Sequence, residues 1–169
     1  LRGETRVDSP LLWDLDAPHL YTLKVTVRRK GEVCDTVEQR FGFREIEMTP
    51  DRGLFLNGRH VKIKGVCAHQ DFGLTGKAVP DNLCRYRVSL FREMGANAFR
   101  ASHYPHPEAT MDACDEQGLL VMDETRRYES CEESVAQLEA LVRRDRNHPS
   151  VFLWSTGNEE MAYHGMEQG

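Results

Sequence analysis

Ala96-Asn97-Ala98-Phe99-Arg100-Ala101-Ser102-His103-Tyr104-Pro105, continued by residues 106–118 and then Leu119-Leu120-Val121-Met122-Asp123-Glu124, is the stretch that decides the fold. A short apolar run over 97–101 enters a polar loop, and a helical pattern over 108–117 stops at Gly118. A second apolar run over 119–122 comes at once. Strand, helix and strand in that order, with apolar strands that do not alternate, predict parallel β-structure buried on both faces. The same punctuation extends in both directions. Upstream lie a strand over 61–66, a long polar loop and a helix opening at Pro80-Asp81, with Leu83, Tyr86, Leu90, Phe91 and Met94 as its apolar stripe. Downstream, a helix carries Val135, Leu138, Leu141 and Val142 ahead of a strand over 151–154. Four strands and three helices in alternation predict an α/β fold.

The first quarter has a different period. Tyr21, Leu23, Val25 and Val27 alternate with Thr22, Lys24, Thr26 and Arg28, then a Lys30-Gly31 turn leads through Val33, Asp35 and Val37 to Phe41-Gly42-Phe43. Period two predicts one buried and one wet face, and the pair reads as the closing hairpin of an antiparallel sandwich. Two strands alone do not make a sandwich, so its remainder is expected upstream of Leu1, unless the hairpin leans on the residues downstream of it. Thr49-Pro50-Asp51-Arg52-Gly53 carries the turn chemistry of a linker and puts a boundary within 44–50. Asn57-Gly58, between Leu54-Phe55-Leu56 and residues 60–66, predicts a tight hairpin.

The 169 residues are 40% hydrophobic and 29% charged with 13 Gly and 7 Pro, which excludes collagen-like, disordered and membrane-spanning classes. The net charge of −5 comes from interspersed acids and bases, so neither nucleic acid nor a membrane is the expected partner, and a small or uncharged molecule is. The chain opens on Leu1 without a signal-peptide pattern and is expected to be a piece of a longer protein. Five cysteines without a C-x-x-C pair fit a reducing, cytoplasmic setting and offer no zinc cage.

In β-α folds ligands bind beyond the carboxyl ends of the strands. Here the four strand ends are followed by Cys67-Ala68-His69-Gln70-Asp71, by Ser102-His103-Tyr104-Pro105-His106, by Asp123-Glu124-Thr125-Arg126-Arg127 and by Gly157-Asn158-Glu159-Glu160. His69 and His106 singly fit loop hydrogen bonds as well as chemistry, whereas His103, between a serine and an aromatic step, suits presentation at a pocket floor. Arg100 lies within a strand, where a buried charge needs a carboxylate partner. Asp123 and Glu124 point to opposite sides of the sheet, so at most one of them faces the pocket. Glu159, with Trp154 nearby, is a candidate general acid, and the Asn158 amide beside it can bond a hydroxyl. Tyr163 and His164 read as wall residues. His148 precedes the last strand, on the rim where a barrel keeps its stabilising turns.

The runs over 96–105 and 145–159 resemble the two signature motifs of glycoside hydrolase family 2, and Phe41-Gly42-Phe43-Arg44, Leu56-Asn57-Gly58, Lys64-Gly65-Val66 and 114–119 match the same family's order. The resemblance implies an immunoglobulin-like β-sandwich ending over 1–44, then the first half, strands 1–4, of a (β/α)8 TIM barrel over 45–169. It implies retaining hydrolysis of β-linked sugars, with Glu159 as general acid/base and Asn158 on the 2-hydroxyl. His103, Glu124 and His69 would line the sugar, and Arg100 would hold the nucleophile ionised. The nucleophile would be a Glu on a later strand, beyond Gly169, because residues 44–169 are about half of the roughly 250 a complete barrel needs. The segment alone is therefore expected to be inactive. Asp123-Glu124-Thr125-Arg126-Arg127 looks most like the β-galactosidase branch, with β-glucuronidase, β-mannosidase and a non-catalytic carbohydrate-binding or interaction module as alternatives. A β-galactoside is the expected partner. No cofactor is required by the sequence and no metal-ligand spacing is visible; a divalent cation and homo-oligomerisation of the full-length protein stay open.

Overall fold

The computed structural model describes residues 3–126 and 129–158. Its first sheet is a hairpin of β1 (Tyr21–Arg29) and β2 (Glu32–Phe41), closed by Lys30 and Gly31 at φ 52° and 88°. Cross-strand pairing runs from Tyr21 with Phe41 to Arg29 with Glu32. The expected buried face is not covered. Leu23, Val25, Val27, Val33 and Val37 are all exposed, because a two-stranded ribbon buries a face only against another layer and nothing among the described residues packs there. The hairpin's root is anchored instead. The rings of Tyr21, Phe41 and Phe43 meet at 5.3–5.9 Å. The wholly buried Trp13 donates Nε1–H to the Asp115 carbonyl at 2.8 Å, and Arg44 donates to the Pro149 and Val151 carbonyls at 2.5 Å each.

A second sheet holds β3 (Ile46–Thr49), β4 (Gly53–Leu56) and β5 (Arg59–Val61), antiparallel and in sequence order. The stretch expected as a linker, 49–53, is the turn of a β3-β4 hairpin, with Thr49 opposite Gly53. A strand of only four residues is too short for its period to show in the sequence. Asn57 and Gly58, both at positive φ, form the expected tight turn. The strand expected over 61–66 is divided between two sheets: β5 stops at Val61, and β6 (Gly65–Ala68) starts the third sheet. Asn97 holds the segment between them, accepting the Lys64 N–H at 2.8 Å and donating to the Lys62 carbonyl at 2.9 Å.

The third sheet is parallel, in the order β6, β7 (Ala98–Ala101), β8 (Leu120–Glu124) and β9 (Val151–Ser155). Its connections carry α1 (Asp81–Glu93), α2 (Glu108–Gln117) and α3 (Glu132–Asp145). Every strand pairs with its sequence neighbour, the progression of a (β/α)8 barrel over its first four units. The stripe expected for α1 is turned. Cys84, Val88 and Phe91, at i, i+4 and i+7, form the inward arc, with Val88 and Phe91 in the cluster around Phe99, while Tyr86 and Met94 are 55% and 74% exposed. Val135 of α3 is likewise exposed and Leu141 is buried. Gly118 ends α2 at φ 70°; a Cβ there would lie 2.2 Å from the Leu15 carbonyl oxygen, so the close approach of residues 13–15 to the barrel requires glycine.

Two apolar clusters divide the work. Phe99, Val121, Val151 and Trp154 pack with Val88, Met111 and Cys114 between sheet and helices. Ala98, Leu120 and Phe152 pack with Trp13, Leu15, Leu54, Leu56 and Val61, so the N-terminal segment and the small sheet cover the inner face at its lower end. Polar residues of that face are left for the upper end. No helix among the described residues is long and apolar enough to cross a membrane.

Candidate active site

The upper ends of β6 to β9 bring five of the six expected site residues into reach of one another. Glu124, the last residue of β8, has no solvent exposure. Its Oε2 accepts from Arg100 Nε at 2.9 Å and from Ser155 Oγ at 2.8 Å, and the second Arg100 nitrogen stands 2.8 Å away. Its Oε1 lies 2.8 Å from His103 Nδ1. The same Arg100 guanidinium donates to Asn158 Oδ1 at 2.8 Å and lies 3.3 Å from His103 Nδ1. The His69 ring stands edge-on to His103, centroids 5.1 Å apart. The sixth expected residue, Glu159, lies outside the described residues, as do Glu160, Tyr163 and His164.

The pleat and the register explain the convergence. Cys67 pairs with Arg100, Arg100 with Met122, and Glu124 with Ser155, so these side chains share the inner face. A register shift between Val121 and Met122 brings Ser155 opposite Glu124. Asp123 takes the outer face and pairs with Trp154. Trp154 therefore packs in the cluster between sheet and helices, on the face opposite Glu124. Burial of Asp123, reinforced by the Asp145 carboxylate at the end of α3, raises its pKa to about 8.

Chemically the cluster is a fixed polar floor. Glu124 is engaged at both carboxylate oxygens, by Arg100 and Ser155 on Oε2 and by His103 on Oε1, and so holds Arg100 and His103 in place. In the neutral His103 ring the nearby carboxylate keeps the proton on Nδ1, leaving Nε2 as an acceptor for a hydroxyl. Arg100, half-buried, presents positive charge above the strand ends, suited to an oxygen-rich ligand carrying developing negative charge.

Ser155 and Tyr104 are additions to the expected set. Ser155 directly follows an apolar strand, which is the available signal in the sequence; Tyr104 adjoins His103. The Tyr104 hydroxyl accepts the Gln70 N–H at 3.1 Å and lies 3.4 Å from His69 Nδ1, and its ring stacks on His106 at 5.7 Å. His106 is buried with its ring edge-on to Phe99 at 5.0 Å, and burial, chiefly, lowers its pKa to about 4.

His148 sits at the opposite end of β9, where its Nδ1 meets Asp115 Oδ2 at 2.6 Å. Folding gathers Asp112, Asp115 and His148, with ligand-type atoms within 4.8 Å of one another, a grouping that sequence spacing does not reveal. Asp112 already pairs with Arg40 at 2.8 Å, and Asp115 with His148 and the Ser150 N–H.

Comparison with known proteins gives a consistent set. The family described as Glycosyl hydrolases family 2, TIM barrel domain, matches residues 46–133 and 126–168, and the one described as Glycosyl hydrolases family 2 matches residues 2–44. A protein named Beta-galactosidase BoGH2A from Bacteroides ovatus is 39% identical over 165 residues, covering 90% of this chain and 19% of its own length. A putative beta-glucuronidase from Formosa agariphila is 38% identical over 168 residues, covering 92% of this chain and 16% of its own. Among solved structures, a beta-glycosidase from Bacteroides vulgatus superposes with TM-score 0.81 at 36% identity, over 93% of this chain and 23% of that one. A beta-glucuronidase from Parabacteroides merdae gives TM-score 0.81 at 32% identity, over 88% and 19%. The chain thus spans about a fifth of the length of these proteins.

Proposed function

The chain belongs to glycosyl hydrolase family 2, and from that premise we propose that the protein containing it hydrolyses terminal β-linked sugars with retention of configuration. The observation that carries this is the polar floor at the strand ends: Arg100, His103 and Asn158 gathered around the buried Glu124. Asn158 bonds the sugar's 2-hydroxyl, His103 and His69 contact other hydroxyls, and Arg100 keeps the attacking carboxylate ionised. Glu159, immediately after Asn158, protonates the leaving oxygen and then activates water. The attacking carboxylate comes from a later barrel strand, about 5–5.5 Å from the acid as retention requires.

A β-galactoside is the first substrate proposed, supported by the name of the Bacteroides ovatus relative. A β-glucuronide is the second, supported by the names of the Formosa agariphila and Parabacteroides merdae proteins. Aryl β-galactoside, β-glucuronide and β-mannoside are offered in parallel to the full-length protein, and the sugar with the highest kcat/KM assigns the specificity. Glu159→Gln is expected to lower kcat by 10²–10⁴-fold on a poor leaving group. A loss below tenfold overturns its role. Saturable sugar binding by the wild type without any turnover indicates a binding module instead.

A further inference from the structure

We propose that Arg87 of α1 is a positioning residue that fixes the loop after β6 as one wall of the sugar pocket, and so holds His69 against His103. This rests on the site proposed above.

One guanidinium grips four consecutive residues of that loop. Arg87 donates to the His69 carbonyl at 2.5 Å, the Gln70 carbonyl at 3.1 Å and the Asp71 carbonyl at 2.5 Å, and its Cζ stands 4.2 Å from the centroid of the Phe72 ring. Carbonyls in an irregular loop have no strand or helix partner, and here one guanidinium supplies donors to three of them in succession. A planar group with five donors can serve three of them at once and still lie over an aromatic face; an ammonium cannot. Among the described residues Arg87 forms no ion pair, so its donors are given to the loop.

The loop is also closed on itself and held from its far side. Phe72 and Gly76 exchange backbone hydrogen bonds at 2.9 Å each, and Gln70 Nε2 donates to the Lys77 carbonyl at 3.1 Å. The Tyr104 hydroxyl, from the next strand end, accepts the Gln70 N–H. His69 is thus held by Arg87 through its own carbonyl and lies beside Tyr104 and His103 through its ring. Contact runs from the Arg87 guanidinium to the His69 main chain, the His103 ring and the Glu124 carboxylate. Without Arg87 the wall must be ordered when substrate binds, and that conformational cost falls on binding more than on the chemical step.

The test uses the full-length protein with Arg87→Ala and Arg87→Lys, the latter keeping the charge and the aliphatic stem. KM for the aryl glycoside is expected to rise at least fivefold in both variants with kcat within threefold of wild type, and free guanidinium is expected to restore part of KM in Arg87→Ala. Amide exchange over residues 69–77 should quicken while α1 and β7 keep their protection. Wild-type KM in Arg87→Lys, or a fall in kcat alone, overturns the proposal, and Arg87→Lys decides if Arg87→Ala does not fold. Should the wild type turn over no glycoside, the hydrolase assignment fails, and unchanged exchange over 69–77 then overturns the loop's dependence on Arg87 separately.

Discussion

Arg100 and Glu124, on adjacent parallel strands, form a salt bridge through two guanidinium nitrogens and one carboxylate oxygen, at 2.9 and 2.8 Å, with the carboxylate wholly removed from solvent. The second carboxylate oxygen is taken by His103. Removing the charge from Glu124 therefore strands a half-buried cation and loosens an imidazole together. Glu124→Gln is expected to cost about 3 kcal/mol of stability, at the lower end for breaking a buried pair because Arg100 keeps some solvent. Denaturant unfolding reads this, and hydrolysis by the same variant is expected to fall at least tenfold; unchanged values in both would remove Glu124 from its organising place.

Asp123, one residue earlier on the opposite face, gives the reverse expectation. Burial first, and the Asp145 carboxylate beside it, raise its pKa from 3.8 to about 8, against a smaller opposing effect of Arg144. A carboxyl raised on folding contributes stability that is complete below about pH 4 and is lost as pH rises toward 8. Asp123→Asn mimics the protonated form. Its melting temperature should match wild type near pH 4 and exceed it near pH 8, checked by thermal unfolding across that range.

His106 sets an acid limit. Burial lowers its pKa from 6.5 to about 4, and the nearby Arg87 charge adds to this while the Ser102 carbonyl opposes it. A base with a depressed folded pKa contributes stability that is present above about 6.5 and lost as pH falls toward 4. The loss amounts to about 3 kcal/mol. His106→Phe, which keeps a ring against Tyr104, should flatten stability between pH 6.5 and 4; an unchanged acid slope would contradict this origin.

At the lower rim His148 works in the opposite sense. Its burial favours the neutral ring, but the hydrogen bond and charge of Asp115, with Asp145 and Asp112, outweigh that and raise its pKa. The stabilisation is complete below about 6.5 and is lost as pH rises through the raised value. His148→Gln should cost about 2 kcal/mol near pH 6 and less near pH 9, judged by denaturant unfolding at the two pH values. Asp115 also receives the Ser150 N–H, and its carbonyl receives Trp13, so faster proteolysis of residues 3–20 is expected to accompany the loss.

Much of the architecture is legible along the chain. The helix over 108–117 and its stop at Gly118 are readable because a left-handed cap leaves a residue-level mark. The small strand β3 is not, since four residues carry too little periodicity. Tyr86 and Met94 suit a core by their chemistry, but the Cys84, Val88 and Phe91 arc of α1 turns inward, and only packing makes that choice. Within the site, Arg100, His103, Asn158 and Glu124 stand out as strand-end polar groups. Ser155, Tyr104 and Arg87 do not, because each acts through a partner distant in sequence, the nearest being Phe72, 15 residues before Arg87.

Local pattern, with no knowledge of contacts, is enough to order the strands and helices and to put Asp123 and Glu124 on opposite faces, because period and pleat are properties of neighbouring residues. It does not say which carboxylate turns inward. That choice comes from long-range pairing: the register shift at Val121/Met122 sets Glu124 against Ser155 and Asp123 against Trp154. One carboxylate thereby joins Arg100 and His103 in a charged, hydrogen-bonded floor, and its neighbour is buried under α3 with a raised pKa. The two residues differ in environment rather than in chemistry, and an environment exists only once distant strands have met.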